Sequence, residues 1–280
     1  MRLSRGARVR LAHVQSLVAG KLDGLFVVFF SHLSRPAKAE APAVASLIGV
    51  TEYEARLTLV TPLPAIVQTT SSRDRANDTA ALLRARGHGI HVFDEDAFIP
   101  SEKMTRMDDF RLDADGVRRV ADGELLPYGD VFAILRAIHV SSSAVERPSA
   151  NRGLRADMLD ATPASQRIVS KTSEREQVAY FFRRSAERPW ILRERHARYE
   201  GLGAERGTIA FGNFVKTLDR IRESAPMAVY DDRLVRRRVP ERVREDNLLR
   251  ATYKTSHEGI DLLAHLLAMQ ILVQGGSPYR

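Results

Sequence analysis

The chain has 280 residues, 44% of them apolar, a formal net charge of +8 and no cysteine. That length allows one or two domains with a self-sufficient core, and the lack of thiols excludes disulfides, thiolate zinc sites and a cysteine nucleophile, which fits a reducing, cytoplasmic compartment. Six lysines stand against 37 arginines, scattered among carboxylates, so the basic balance reads as a salt-bridged surface before it reads as a polyanion-binding one; no run of about 18 apolar residues exists to span a membrane.

Residues 1–23 carry Arg2, Arg5, Arg8 and Arg10 ahead of an apolar patch that Lys21 and Asp23 interrupt. The segment reads as a basic N-terminal extension, not a secretory leader. Leu25–Phe30 is a continuous aromatic and β-branched run, the pattern of a buried strand. After a polar, proline-containing connector over 34–42, Ala43–Ile48 reads as a short helix stopped by Gly49. Thr51 with Glu54 three residues on forms a capping box for a helix over 52–60, which Pro62 and Pro64 end. Ala65–Thr70 is a second strand. A third helix over 72–86 has Ala76, Thr79, Ala80 and Leu83 at helical spacing and Gly87 at its end. Gly89–Phe93 is a third strand, closed by Asp94-Glu-Asp96.

This order, together with Leu47-Ile-Gly49, Tyr53-Glu-Ala-Arg56, Leu59-Val60, Pro64 and Ala80–Gly87 leading into Ile90–Phe93, resembles the C-terminal domain of the bacterial ribosomal stalk protein. The Clp protease adaptor domain shares that fold. The resemblance implies a compact module over 24–96 of a kind used to bind protein. It transfers no binding residues: Ala43–Ile48 lacks the basic residues that the stalk domain presents, and the adaptor's acidic-loop and histidine pattern is missing.

A linker over 97–103 leads into a β-rich region over 104–230. Phe110–Asp113 and Val117–Val120 flank a hairpin turn at Asp113-Ala-Asp-Gly116. Leu125–Val131 leads into the apolar stretch Phe132–Val140. Residues 141–175 read as a long polar loop, of the length that marks function or mobility. Gln177–Arg183 and Trp190–Arg195 read as paired strands. A helix over 213–224 sets Phe214, Leu218 and Ile221 on one face. Leu126-Pro-Tyr-Gly-Asp-Val131 and the closing helix at Phe214–Ala225 resemble bacterial pleckstrin-homology-like domains, and the whole arrangement resembles an uncharacterised two-domain family of high-GC bacteria. The acidic first hairpin turn argues against phosphoinositide headgroups.

Residues 231–280 form an arginine-rich linker and a C-terminal helix. Arg233, Arg236, Arg237, Arg238 and Arg242 are the candidate polyanion-binding residues, although carboxylates intervene and no aromatic residues interleave for base stacking. The helix over 256–273 is apolar almost all round and must be buried. Leu263, Leu266, Leu267, Met269 and Leu272 would seat it on its own chain or on a second copy, as a homo-oligomer.

Three constellations suggest chemistry. His257, Asp261 and His265 are spaced four and four, on one helical face where all three could reach one metal; the competing reading is the polar stripe of a docked helix. Gly201-Leu-Gly203 is a broken phosphate-loop fragment, since position 206 is Arg, and reads as tight turns. Ser141-Ser-Ser143 after His139 has no partners that spacing can identify. With no complete catalytic motif, no catalytic residue and no cofactor is assigned. The expectation is an α+β chain: a small β-α-α-β-α-β module, a β-rich domain and an apolar C-terminal helix, working as a non-enzymatic interaction protein, an adaptor or scaffold. Its alternatives are a nucleic-acid or polyanion binder through 233–250, and a metal-dependent enzyme at the C-terminal helix.

Overall fold

The computed structural model describes residues 24–148, 167–237 and 256–275; for 141–148, 167–173 and 256 it describes the backbone alone. Strand β1 (Phe26–His32) is buried along its first six residues. It can be apolar on both faces because it is the middle strand of a three-stranded sheet, between β2 (Ala65–Thr70) and β3 (Gly89–Asp94), both antiparallel to it. Phe26, Val28 and Phe30 face α1 (Ala37–Ile48), α2 (Glu52–Leu59) and α3 (Arg73–Ala85), with Val44, Leu59 and Leu83 opposite them. Val27 and Phe29 face the other way, into a second core. Each fully buried phenylalanine contributes on the order of 2 kcal/mol.

Helix α1 starts at Ala37, six residues before the expected Ala43, and Pro42 lies inside it. Pro42 and Lys38 are both exposed, so the carbonyl that a proline cannot bond sits on the water side. Gly49, at φ 75°, supplies the left-handed C-cap and bonds Ala45 O. The capping box of α2 forms as expected: Glu54 N–H donates to the Thr51 hydroxyl, and Thr51 N–H to the Glu54 carboxylate at 2.9 Å.

Beyond β3 the chain makes tight turns over 95–97 and 101–103 and enters two further sheets. β5 (Phe110–Leu112), β6 (Gly116–Arg119) and β7 (Leu125–Pro127) form a small antiparallel meander. β4 (Thr105–Arg106), β8 (Val131–Pro148), β9 (Arg167–Arg183), β10 (Trp190–Arg193) and β11 (Val229–Leu234) form a five-stranded sheet in the order β11-β8-β9-β10-β4. Its outer pairings, β11 with β8 and β4 with β10, are parallel. Helix α4 (Ala210–Ser224) packs Phe214, Leu218 and Ile221 on one face, against Ile134, Phe181 and Trp190. Gly201 is required by close approach: a Cβ there would stand 2.5 Å from Phe110 O. Tight packing, not a phosphate loop, accounts for that glycine.

The structure revises several boundaries. Residues 141–148 and 167–175, read as a polar loop, are paired strands that extend the β8–β9 hairpin from Ala137↔Val178 to Pro148↔Arg167. A two-stranded ladder bonds through its backbone and needs no apolar side chains, so hydrophobicity gives no sign of it. The break at 230 falls within β11, whose consecutive residues Asp231 and Asp232 disguise a strand held by its parallel neighbour. The 97–103 linker is a packed strap, because the main-chain N–H groups of Ile99 and Ser101 find their acceptors on the C-terminal helix.

That helix, α5 (Ser256–Val273), lies between the N-terminal sheet and the five-stranded sheet. Leu263, Leu266 and Leu267 share one core with Val27, Phe29 and Phe93 from one side and Leu135, Tyr180 and Phe182 from the other. Being enclosed on both sides explains an apolar surface all round. Residues 1–23, 149–166, 238–255 and 276–280 are outside the described residues, and among those described no helix is long and apolar enough to cross a membrane.

Candidate functional site

Strand parity builds the site. On β9, Val178, Tyr180 and Phe182 face α5 while Ala179 and Phe181 face α4. On β8, Leu135 and Ala137 face α5, and His139, two residues further, meets the first turns of that helix. The strap delivers Ser101 from the third side. All converge on Asp261, whose side chain is 0% exposed.

The Tyr180 hydroxyl donates to Asp261 Oδ1 at 2.6 Å. His139 Nε2 lies 3.2 Å from the same oxygen and 2.7 Å from the Tyr180 oxygen. Since tyrosine gives its proton to the carboxylate, His139 Nε2 must carry a proton that it donates to both. Ser101 N–H donates to Oδ2 at 2.8 Å. Burial pushes the Asp261 carboxyl up, but the bond and charge of His139, with Tyr180 and Ser101, outweigh it and hold it below the usual carboxylate range. Burial, then the Asp261 charge, raises Tyr180 well above the ordinary phenol. His139 Nδ1 has no hydrogen-bond partner among the described residues.

His257 and His265 flank Asp261 one turn away on either side. The half-buried His257 ring stacks on His139, centroids 4.4 Å apart and planes 14° from parallel. Burial and then the adjoining His139 hold it below the usual imidazole value, against the pull of Asp261. His265 is almost wholly enclosed by Phe93, Phe98 and Phe182. Its Nδ1 donates to Asp261 O at 2.9 Å, and its Nε2 accepts from Ile99 N–H at 3.3 Å. Those two bonds define a neutral ring with its proton on Nδ1, and burial lowers its pKa accordingly.

The proposed metal triad does share a helical face, as its spacing requires, but it does not converge on one point. Both Asp261 oxygens and both His265 nitrogens are already bonded within the chain. Among the described residues no group of three histidines or carboxylates is placed to hold a metal. The cluster instead buries a carboxylate together with its donors His139 and Tyr180.

Among the described residues the candidate arginines do not gather either. Arg233 bonds Asp231 at 2.8 Å, and Arg237 donates to the carbonyls of Pro62 and Pro64. Arg236 is exposed, and Arg238 and Arg242 lie outside the described residues. Leu263, Leu266 and Leu267 are core residues and Met269 packs against that core, so of the helix residues offered for self-association Leu272 alone, 55% exposed, faces outward. The helix is occupied because two sheets of its own chain cover it.

Two surface features remain. A polar cleft of about 420 Å³ opens between residues 194–200 and the start of α4, with Arg195, Arg198, Arg206 and Glu200 on its walls; Arg195 is paired with Glu174 and Arg198 with Asp109. On α2 and its C-cap residue, Tyr53, Leu57 and Val60 are 62%, 41% and 63% exposed. Their spacing makes them one helical stripe, and the Arg56 guanidinium lies 5.8 Å from the Tyr53 ring centre.

His139, Tyr180 and Ser101 escape sequence reasoning because their partner is 122, 81 and 160 residues away along the chain. The one trace is a histidine and a tyrosine at core-facing parity on strands that are otherwise apolar. Comparison with protein-family models, curated proteins and solved structures returns no match.

Proposed function

We propose that the chain is a non-enzymatic, cytoplasmic protein-interaction protein, an adaptor or scaffold, that meets its protein partner on α2. The exposed apolar stripe Tyr53–Leu57–Val60 carries this reading. Apolar anchors at i, i+4 and i+7 are the pattern by which one protein's helix enters another's groove, and large exposed apolar side chains cost solubility unless they serve contact. The capping box at Thr51 and Glu54 holds the stripe on a formed helix before binding, so less ordering entropy opposes association. Neither alternative finds comparable support: Arg233 and Arg237 are bonded within the chain, and so are Asp261 and His265, two of the three groups offered for metal.

The test is a set of parallel captures with the full chain and with the variant Tyr53→Ser/Leu57→Ser/Val60→Ser. These side chains are exposed, so the variant should unfold at nearly the same temperature while losing proteins that the wild type retains specifically. Equal recovery by both, or no specific protein with either, overturns the reading.

A further inference from the structure

We propose that α5 is an acid-released latch: protons on His257 and His265 undock its N-terminal half from β8, β9 and the 98–103 strap while the sheets on either side stay folded. The geometry of His265 carries the first part. Its Nε2 is an acceptor for Ile99 N–H. A proton there would set two donors against each other inside a cage of three phenylalanine rings, with the nearest carboxylate, Asp261, already taken by three other donors. One of the two main-chain bonds that tie the strap to the helix would be lost, leaving Ser101 N–H on Asp261.

His257 carries the second part. The groups facing it are His139 from β8, Arg193 from β10, Glu102 from the 101–103 turn and Asp261 from α5 itself. Arg193 is a cation held by Glu176 at 2.7 Å. A proton on His257 therefore adds positive charge against a parallel imidazole 4.4 Å away, at the N-terminal end of a helix, where the peptide dipoles also oppose it. Asp261 supplies one negative charge and shares it with His139. Leaving the cluster for water relieves both conflicts.

The sign follows from linkage. A solvated histidine binds its proton near pH 6.5, and in the docked helix both are held lower. The undocked form therefore binds more protons below about pH 6.5, so its population rises as pH falls, by up to about tenfold per pH unit for each histidine that titrates. Glu95 acts in the opposite direction. Burial, Asp96 and Glu258 push it up to about 7, so its ionisation disturbs the 95–97 turn that leads into the strap on the alkaline side.

Hydrogen exchange of the full chain between pH 7.5 and 5, corrected for intrinsic rates, tests the proposal. Amides over 257–268 should open progressively below about pH 6.5, while those of β1 and residues 178–182 keep their protection. His257→Asn/His265→Gln should flatten that dependence, and Glu95→Gln should leave it intact. Uniform behaviour of α5 and β1 at every pH, a flat wild-type profile, or an unchanged slope in the double variant overturns it. Should that variant fail to fold, imidazole NMR of the wild type decides: titration of His257 and His265 below the usual histidine value supports the latch, and titration at or above it refutes it.

Discussion

Asp261 is the residue on which the buried polar bonding converges, and its removal should be costly for a definable reason. Asp261→Ala leaves the His139 ring, the Tyr180 hydroxyl and the Ser101 amide buried without their acceptor. Removing the acceptor from three buried donors in this way costs about 3–5 kcal/mol, since each buried donor left unpaired costs about 1–3 kcal/mol, to be read from the urea midpoint at pH 7.5. Tyr180→Phe deletes one bond and leaves the carboxylate with two donors, for a loss of about 1–3 kcal/mol. If the two variants cost the same, Asp261 is not the centre of the cluster. The carboxyl is depressed in the folded chain, so its contribution is present above the unfolded carboxylate pKa and is lost as pH falls through the folded value.

At the scale of elements, the β8–β9 hairpin divides at the point where its neighbours end. Up to Ala137↔Val178 the pair lies inside a five-stranded sheet, with β11 and β10 on its outer sides. Beyond it eleven further pairs, from Ile138↔Gln177 to Pro148↔Arg167, have no third strand among the described residues, a reach of about 35 Å. A ribbon of two strands is marginal in water by itself. Replacing residues 141–174 by an Asn-Gly turn, which suits a tight hairpin, should therefore change stability by less than about 1 kcal/mol. A larger drop in the thermal midpoint would mean that the ribbon packs on the body of the protein. The pattern-based loop reading over 141–175 fails for the same physical reason: a ladder with little core leaves no hydrophobic periodicity to detect.

For the whole molecule, the decisive fact is that the three-stranded sheet is buried on both sides. Its helical face agrees with the expected β-α-α-β-α-β order, and the capping box and the β2 boundaries were legible residue by residue. Its other face presents Val27, Phe29 and Phe93 to α5 and the five-stranded sheet. A fragment over 24–96 would expose that face, so it should self-associate or unfold non-cooperatively; a well-behaved monomer by light scattering, with a sharp thermal transition, would contradict this. Local pattern determined what each segment is: a strand where Leu25–Phe30 is apolar on both parities, a buried helix where Leu262–Val273 is apolar all round, and no cysteine chemistry anywhere. Tertiary structure alone decided what those surfaces meet. Hydrophobic periodicity records that a face must leave water, but the partner is set by contacts between residues more than a hundred positions apart, and a single sequence holds no local trace of Asp261 meeting His139 or of one helix serving two sheets.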